Sequence, residues 1–543
     1  MAAKKQNYVQ GAAILAITIA IVKVIGLLYK LPLLNIFDDD ATADFNIAYS
    51  VYSLLLTIST AGVPVAISRM ISASVSTGRI KQANRIFAVA MPTFAAVGAL
   101  CALIMMVFAA PIADFMENPG AKESIFILGP AVFFCCIIAV YRGYTQGHED
   151  MVPTSVSQII EVLCKLVFGL GFAFLFVKLN LSSGLVAAGG ISGAVIGLGV
   201  GIPVMAYYKR KCSRELVVDP VSVDSSVMSS KDTLKQLLMI SIPMTLSSSL
   251  LNIITLVDVK VVMYQLKNAL GLSLSAANAE YAAFTRAHTI FTLPSSLIVS
   301  ISVSVVPAIA AAIALKKFKE SAGIMSSSLK LMNLFALPAG MGICVLSDPI
   351  YRVFYWHHAI EGSANGSLIL AIMGVASYFV CFQLVSTALV QASGSERVPL
   401  ISMAVGSVVK LIINWTLVGT PSVGIIGAPI STLVCYMLIS VINMIGLMRK
   451  APVKPKLGPA FIKPLICTGI MGAAAWGVYG LLTAVGGGVL SGGRIQMGIA
   501  MMIAIIAAVI VYGILIVVTG TITKEDMKLV PKGDRIAELL HLK

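Results

Sequence analysis

The sequence contains little charge. Of its 543 residues, 12% are Asp, Glu, Lys or Arg, whereas 58% are hydrophobic and the mean hydropathy is +0.94. An ordinary soluble domain has about twice that charged fraction, so a water-soluble globular protein is excluded. Because a membrane-spanning helix takes roughly 20 apolar residues, the length suits many spans and no large soluble domain.

The sequence also lacks the usual marks of metal or catalytic sites. Its nine cysteines form no Cys-x-x-Cys pair, and no Cys/His cluster has metal-ligand spacing. Neither a Gly-x-Ser-x-Gly motif nor a P-loop is present. We therefore expect no metal, no bound cofactor and no enzyme. A membrane glycosyltransferase would need a catalytic carboxylate in a large outer loop, and the longest candidate, 348–363, is short.

Apolar windows separated by Gly, Pro or charge predict an all-α integral membrane protein with fourteen transmembrane helices. The predicted ranges are 10–34, 46–68, 86–112, 124–144, 153–178, 184–208, 236–264, 280–313, 322–347, 364–391, 399–419, 424–448, 460–485 and 496–520.

The formal charge of +15 follows this topology. With the N-terminus inside, most Lys and Arg residues fall in the cytoplasmic segments, which is the positive-inside pattern. The main basic clusters are 209–214, 316–319, 449–463 and the tail from Lys524. Both termini are thus predicted to be cytoplasmic in a bacterial cytoplasmic membrane, and the charge requires no nucleic-acid partner.

Two segments of the chain resemble each other. Gln146 and Lys165 in the first correspond to Gln391 and Lys410 in the second, at the same separation, and each segment joins two apolar runs. Such a duplication predicts parallel repeats with a cavity between two lobes. The predicted domains are a first lobe at 1–208, a cytoplasmic linker at 209–235, a second lobe at 236–450, and helices 13 and 14 with a tail at 451–543.

Ionisable residues inside the membrane need a partner, water or a function. Cations outnumber acids in the predicted helices, and such an excess favours an anionic substrate such as phosphate. Lys23, Lys165, Lys330 and Lys410 fall near helix centres; Lys30, Asp258, Lys260 and Arg286 lie nearer the outer ends, where flexible side chains can also reach the headgroups.

Three ionisable sites within or at the end of a predicted helix can be explained by a role other than substrate binding. Glu161 lies four residues before Lys165, the spacing of an intrahelical ion pair, and we interpret that pair as structural. Four residues before Lys410 the chain has Gly406, where the first segment has Glu161. Lys410 is therefore available to an anion or to a partner on another helix. Arg69 is either a topology anchor at the cytoplasmic end of helix 2 or a substrate contact.

Three stretches resemble the polysaccharide flippases that include stage V sporulation protein B and the lipid II flippases. They are 48–69, with Gly62-Val-Pro-Val-Ala-Ile-Ser-Arg69, then 141–161, and 293–309 in helix 8. The family belongs to the multidrug, oligosaccharidyl-lipid and polysaccharide exporter superfamily. The resemblance implies a two-lobed, fourteen-helix fold that moves an undecaprenyl-pyrophosphate-linked sugar from the inner to the outer leaflet.

The resemblance also implies site residues. Lys23-Val-Ile-Gly26 is similar to a helix 1 motif, Arg286 to the helix 8 arginine near the pyrophosphate, and Asp44 loosely to a helix 2 acid. Where related flippases have an arginine pair in helix 2, this chain has Leu56-Thr57, so Lys30 or Arg69 would supply that charge.

The expected function is a lipid-linked oligosaccharide flippase with lipid II as the favoured glycan. It would work by alternating access, coupled to membrane potential, sodium or protons. One alternative is a flippase for another lipid-linked polysaccharide. The other is a cation-coupled multidrug exporter of the same fold, and an anionic cavity would favour this exporter.

Overall fold

The computed structural model describes residues 8–215, 227–361, 365–395, 397–450, 454–455, 457–485 and 493–521. All regular elements within these ranges are helical. Eleven helical segments there are long and apolar enough to cross a membrane. The three other predicted spans correspond to the helices at Tyr8–Ile36 and Ser230–Tyr264 and to a helix pair within 274–314. The total of fourteen and the side of each terminus stay predictions.

The chain divides into two compact units. The first covers Met1–Lys267 and Leu272–Ala282. Its helices are α1 (Tyr8–Ile36), α2 (Asp39–Thr60), α3 (Val63–Ser76), α4 (Ile80–Val107), α5 (Ala109–Phe115), α6 (Lys122–Gly147), α7 (Val152–Cys164), α8 (Leu170–Lys178), α9 (Ser183–Glu215) and α10 (Ser230–Tyr264).

The second unit covers Asn268–Gly271 and Ala283–Lys543, so the boundary lies within helix α11 (Leu274–Phe291). The remaining helices are α12 (Leu293–Ala314), α13 (Phe318–Val345), α14 (Ser347–Phe354), α15 (Trp356–Glu361), α16 (Gly366–Ala392), α17 (Arg397–Ile413), α18 (Gly427–Lys450), α19 (Gly458–Val485) and α20 (Arg494–Val518).

The two units do not coincide with the predicted lobes. Helix α10, which the repeat places at the start of the second lobe, belongs to the first unit. Its polar side chains bond to α2, where Ser53 Oγ donates to Asn252 Oδ1 over 2.7 Å. The predicted linker at 209–235 overlaps the ends of α9 and α10, and its residues 216–226 lie outside the described part. The lobes inferred from the repeat stay a prediction.

Helix 2 and helix 8 are both broken. The predicted helix 2 is α2 and α3, which are separated at Ala61-Gly62, and helix 8 is α11 and α12, which are separated at Thr292. Pro64 and Pro294 each occupy the second position after the break. A proline there needs no backbone hydrogen-bond donor, and it disfavours α geometry for the residue before it. These prolines therefore mark interruptions of the two helices.

Helices 5 and 11 each contain a π-helical turn, at Lys165–Gly169 and Asn414–Val418. Each turn packs against a glycine of the following helix. A Cβ on Gly193 would lie 2.5 Å from Gly169 N, and a Cβ on Gly427 would lie 2.8 Å from Val418 N. The widened backbone of a π turn thus approaches a helix surface that has no side chain, in both halves of the chain.

Several helices begin earlier than hydropathy predicts. Helix 2 starts at Asp39, although the predicted range begins at 46, because Asp38 Oδ1 accepts a hydrogen bond from Ala41 N over 2.7 Å and caps the helix. Helix α10 starts after Ser229, whose hydroxyl accepts from Asp232 N in the same way. Asp44, which the predicted bounds leave in a loop, therefore lies inside a helix.

Candidate functional site

The break in helix 2 is held against α10 by backbone contact. A Cβ on Gly62 would lie 2.3 Å from the carbonyl oxygen of Ser241, so only glycine fits, and Gly62 N donates to Thr245 Oγ1 over 3.3 Å. Two turns further along α10, Asn252 Nδ2 donates to Thr57 Oγ1 over 3.0 Å. These contacts form a polar seam between α2 and α10, and it contains the Leu56-Thr57 position where related flippases are expected to have arginines.

A charged cluster lies between α6 and α7. Lys165 Nζ is 2.7 Å from Glu161 Oε1, which is the pairing that their spacing predicts, and Arg142 Nη2 is 3.8 Å from Glu161 Oε2. Arg142 Nε also donates to Ser157 Oγ over 3.1 Å. The three charged side chains are each about one-fifth exposed, and their net charge is positive. Arg142 was not among the predicted site residues, although it lies four residues before Gln146 of the repeated segment.

The second repeat has uncharged residues at the positions of Arg142 and Glu161. There Ser402 Oγ donates to Asn443 Oδ1 over 2.7 Å, and Asn443 Nδ2 donates to Thr387 Oγ1 over 2.9 Å. Gly406 stands where the first repeat has Glu161, and a Cβ on it would lie 2.5 Å from Ile439. Helix α18 therefore approaches too closely to leave room for an acid, while Lys410 remains at the position of Lys165.

Arg286 is the largest fully buried side chain of the described residues, with 1% of its surface exposed. It lies on α11 within the second unit, and its backbone carbonyl accepts a hydrogen bond from Tyr355 Oη over 3.3 Å. Burial places this guanidinium inside the protein, whereas snorkelling to the headgroups was the alternative expected near a helix end.

The two predicted acids, Asp44 and Asp258, are both buried, and both lie in the first unit. Asp44 Oδ1 accepts a hydrogen bond from Asn118 Nδ2 over 2.9 Å. Lys260, two residues after Asp258, is paired with Glu117, whose Oε1 lies 3.6 Å from its Nζ. That lysine thus has a protein partner near the end of α10.

The other predicted cations differ in exposure. Lys23 and Arg69 are exposed, whereas Lys30 and Lys410 are half-buried. Lys23 and Lys30 are two helical turns apart on α1, so they share one face, about 10 Å apart along the axis. Gly26 lies between them on that face, and a Cβ there would meet nothing within 4 Å. Helix α1 thus presents two ammonium groups on either side of open space.

The second unit contains an apolar cavity of about 900 Å³. It is bounded by the start of α12 at Leu293 and Pro294, by α13, and by helices α19 and α20, which lie outside the repeat. Tyr512 is the polar side chain in its wall, and its hydroxyl donates to the Leu334 carbonyl over 3.0 Å. The wall therefore presents hydrocarbon, thioether and aromatic surface, and the Tyr512 hydroxyl is already hydrogen-bonded within the protein.

Helices broken at prolines in both halves, cations within the spans and an apolar cavity are features of a multi-span membrane protein. The fold agrees with this class. An inward-facing multidrug resistance MATE transporter of the MOP superfamily aligns with TM-score 0.63 at 16% identity, over 80% of this chain and 98% of its own. The lipid II flippase MurJ, inward closed, aligns with TM-score 0.60 at 16% identity, over 92% and 98%.

Residues 8–313 match the model of the family described as polysaccharide biosynthesis protein, and the chain belongs to this family. Three relatives come from Bacillus subtilis (strain 168). The uncharacterized membrane protein YabM is 26% identical over 98% of this chain and 96% of its own length. Lipid II flippase MurJ is 25% identical over 86% of this chain and 87% of its own length. Stage V sporulation protein B is 24% identical over 83% of this chain and 86% of its own length.

The predicted resemblance is therefore confirmed, as is a multi-pass protein of the bacterial cytoplasmic membrane. The relatives and neighbours whose names state an activity are flippases and transporters.

Proposed function

We propose that this protein is a flippase for an undecaprenyl-pyrophosphate-linked sugar, with lipid II as its glycan, and that it works by alternating access. The apolar cavity of about 900 Å³ carries this proposal. A polyprenyl tail has no polar group and needs a surface of this kind, since burial of apolar area drives such binding. The cavity also gives α19 and α20, which the repeat leaves unexplained, a function in tail binding.

The head group would bind at cations. Lys23 and Lys30 face the open space beside Gly26, which suits a pyrophosphate, and Arg286 supplies a further guanidinium in the second unit. Asp258 would orient neighbouring cations, and Asp44, Arg69 and Lys410 would contact other parts of the lipid-linked glycan. We assign Glu161 and Lys165 a structural role. The chain on this proposal is not an enzyme.

The MATE likeness keeps a cation-coupled multidrug exporter as the second candidate, and another lipid-linked polysaccharide as a second cargo. A lipid-linked cargo would use the apolar cavity for its tail. The excess of cations over acids within the spans also favours an anionic cargo. Transport would be driven by the membrane potential, by sodium or by protons. A membrane potential contributes about 2.3 kcal/mol for each positive charge per 100 mV.

The head-group assignment is tested by measuring lipid II on the outer leaflet of cells depleted of their own flippase. The intact chain is expected to restore exposure, whereas Lys23→Ala is not. Lys178→Ala, which removes an exposed lysine at the end of α8, is the matched control and should restore it. Absence of rescue by the well-expressed intact chain would reject lipid II as cargo.

The tail assignment has a matched pair on one helix. Gly342 and Gly323 both lie on α13, and a Cβ at either would meet nothing within 4 Å, but only Gly342 lines the cavity. Gly342→Phe would fill part of the cavity, so we expect it to lower lipid II exposure, whereas Gly323→Phe should not. Equal exposure in both variants, at equal expression, would contradict tail binding there.

A further inference from the structure

A short amphipathic helix covers one end of the apolar cavity in the second unit. Helix α14 comes directly after α13, and Leu346, Ile350 and Phe354, at intervals of four residues, line the cavity. Residues at this spacing share one helix face. Asp348 and Arg352 lie on the other face, are about half exposed and form an ion pair over 2.8 Å. The helix thus turns an apolar face to the cavity and a charged face away from it.

The cavity runs lengthwise between α13 and α20. Its lining residues extend from 331 to 346 on α13 and from 501 to 516 on α20. Each stretch is about 22 Å long at the rise of an α-helix, which is most of the roughly 30 Å hydrocarbon core of a membrane. Helix α14 lies where α13 ends and α20 begins. The predicted topology places this end of the cavity on the outer side of the membrane.

Helix α14 is separated from both of its neighbours in the chain. Leu346 before it has φ −100° and ψ 23°, and Tyr355 after it has φ −126° and ψ 52°. Neither pair of angles is α-helical. Hinges in proteins are a few residues at the ends of elements, where they absorb a change in backbone angles. The eight residues of α14 can therefore move as one piece.

Buried contacts hold one side of α14. The ring of Tyr351 packs against Gly366 of α16, where a Cβ would lie 2.3 Å from the ring. Tyr355 is 0% exposed, and its Oη donates to the Arg286 carbonyl of α11 over 3.3 Å. Close packing of this kind is lost when the surfaces separate, so this side is the fixed one.

The contact of α14 with α20 is of another kind. Arg494 Nε, at the start of α20, donates to the Val353 carbonyl in the last turn of α14 over 2.9 Å, and this hydrogen bond is exposed. Water can bond to both partners of an exposed hydrogen bond, so breaking it costs little. Helix α14 can therefore leave α20 while Tyr351 and Tyr355 stay in place.

We propose that α14 is a gate at the outer end of the cavity, which rotates away from α20 about Tyr351 and Tyr355 to release a polyprenyl lipid. The inference rests on the proposed function, since it takes the cavity as the binding site of the lipid tail. The gate closes when Arg494 bonds to Val353 again. Because Tyr355 is bonded to the backbone of Arg286, the gate is directly connected to the proposed head-group arginine.

The experiment measures release of radiolabelled undecaprenyl phosphate from the purified full chain, immobilised in detergent and washed with empty micelles. Arg494→Met removes the bond that closes the gate, so release should become about 2- to 10-fold faster, the ratio given by one ordinary hydrogen bond. Lys463→Met is the matched control. It removes an exposed bond to the Thr519 carbonyl, 3.0 Å long, at the other end of α20, and release should not change.

A cysteine pair tests the opposite direction. A Cβ on Gly498 of α20 would lie 3.7 Å from a methyl group of Val353, so Val353→Cys with Gly498→Cys can form a disulfide after a small side-chain shift. Release should be lost on oxidation and return on reduction. Val398→Cys with Gly446→Cys is the control, because it joins α17 to α18 across 3.4 Å between Cβ positions, and release should continue. Oxidised wild type accounts for the nine native cysteines.

The outcomes separate the gate from the proposed function. If the intact chain does not retain undecaprenyl phosphate, the tail assignment fails and the gate with it. If the lipid is retained but the disulfide does not stop its release, or if Arg494→Met and Lys463→Met accelerate release equally, only the gate is overturned. Should Arg494→Met not fold, the disulfide decides, because it is closed after folding, and a pair that does not bridge on oxidation contradicts the closed position of α14.

Discussion

Replacing Glu161 by Gln is expected to destabilise the protein more than replacing Lys165 by Met. Glu161 is the shared acceptor, with Lys165 Nζ at 2.7 Å and Arg142 Nη2 at 3.8 Å. At an effective dielectric constant of about 20, these attractions are worth roughly 6 and 4 kcal/mol before desolvation is subtracted. Glu161→Gln removes both attractions and leaves two cations facing each other, whereas Lys165→Met leaves the acid paired with Arg142.

Removal of one partner from a buried pair costs about 3–5 kcal/mol, and we expect Glu161→Gln in that range. Lys165→Met should cost about 1–3 kcal/mol, because Arg142 continues to neutralise the acid and the side chains are about one-fifth exposed. The double variant should be more stable than Glu161→Gln alone, since it removes one of the two uncompensated cations.

The assay is thermal unfolding of each variant in the same detergent, followed by intrinsic fluorescence, with denaturant unfolding to rank free energies. Ser402→Ala, at the position of Ser157 in the second repeat, measures the cost of losing an uncharged hydrogen bond. If Lys165→Met proves as costly as Glu161→Gln, the acid is not shared and Arg142 does not contribute.

Three further outcomes are expected. Gly62→Ala should destabilise by about 1–3 kcal/mol in thermal unfolding, because its methyl meets the Ser241 carbonyl, whereas Gly26→Ala, which meets nothing, should be neutral or stabilising. Asn252→Leu should cost about 0.6–2 kcal/mol, the range for hydrogen bonds between membrane helices, and a cost near zero would show that the α2–α10 seam adds nothing. Burial lowers the pKa of His148 below its ordinary 6.5, so the folded state binds a proton less readily than the unfolded chain; stability should fall as pH is lowered through about 6.5, and His148→Gln should remove that dependence.

Contacts within one helix were accessible from spacing alone. Glu161 and Lys165 are four residues apart, and the helix geometry brings them together wherever the helix lies. The breaks after Gly62 and before Pro294 were likewise predictable as bends, because proline limits the backbone locally. Asn118 and Asp44 are 74 positions apart, and no local pattern connects a loop amide to an acid in another helix.

Hydropathy misplaced the helix starts for a physical reason. It reports where side chains meet hydrocarbon, whereas a helix extends as long as its backbone bonds and caps allow. Asp39 and Asp40 begin α2 in a polar stretch because Asp38 caps them. Because of that error, Asp44 was placed in a loop, and its position one helical turn after Asp40 was not predicted. Arg142 was missed because its partner lies on the next helix, beyond a turn.

The π turns at Lys165–Gly169 and Asn414–Val418 record an inserted residue in each half. One extra residue rotates everything after it by about 100° around the helix axis, so the two ends of helices 5 and 11 point their side chains in directions that a continuous α-helix would not permit. The first turn begins at Lys165 itself, and the second begins four residues after Lys410. Deleting one residue from either turn would rotate the outer half of that helix while leaving its composition nearly unchanged.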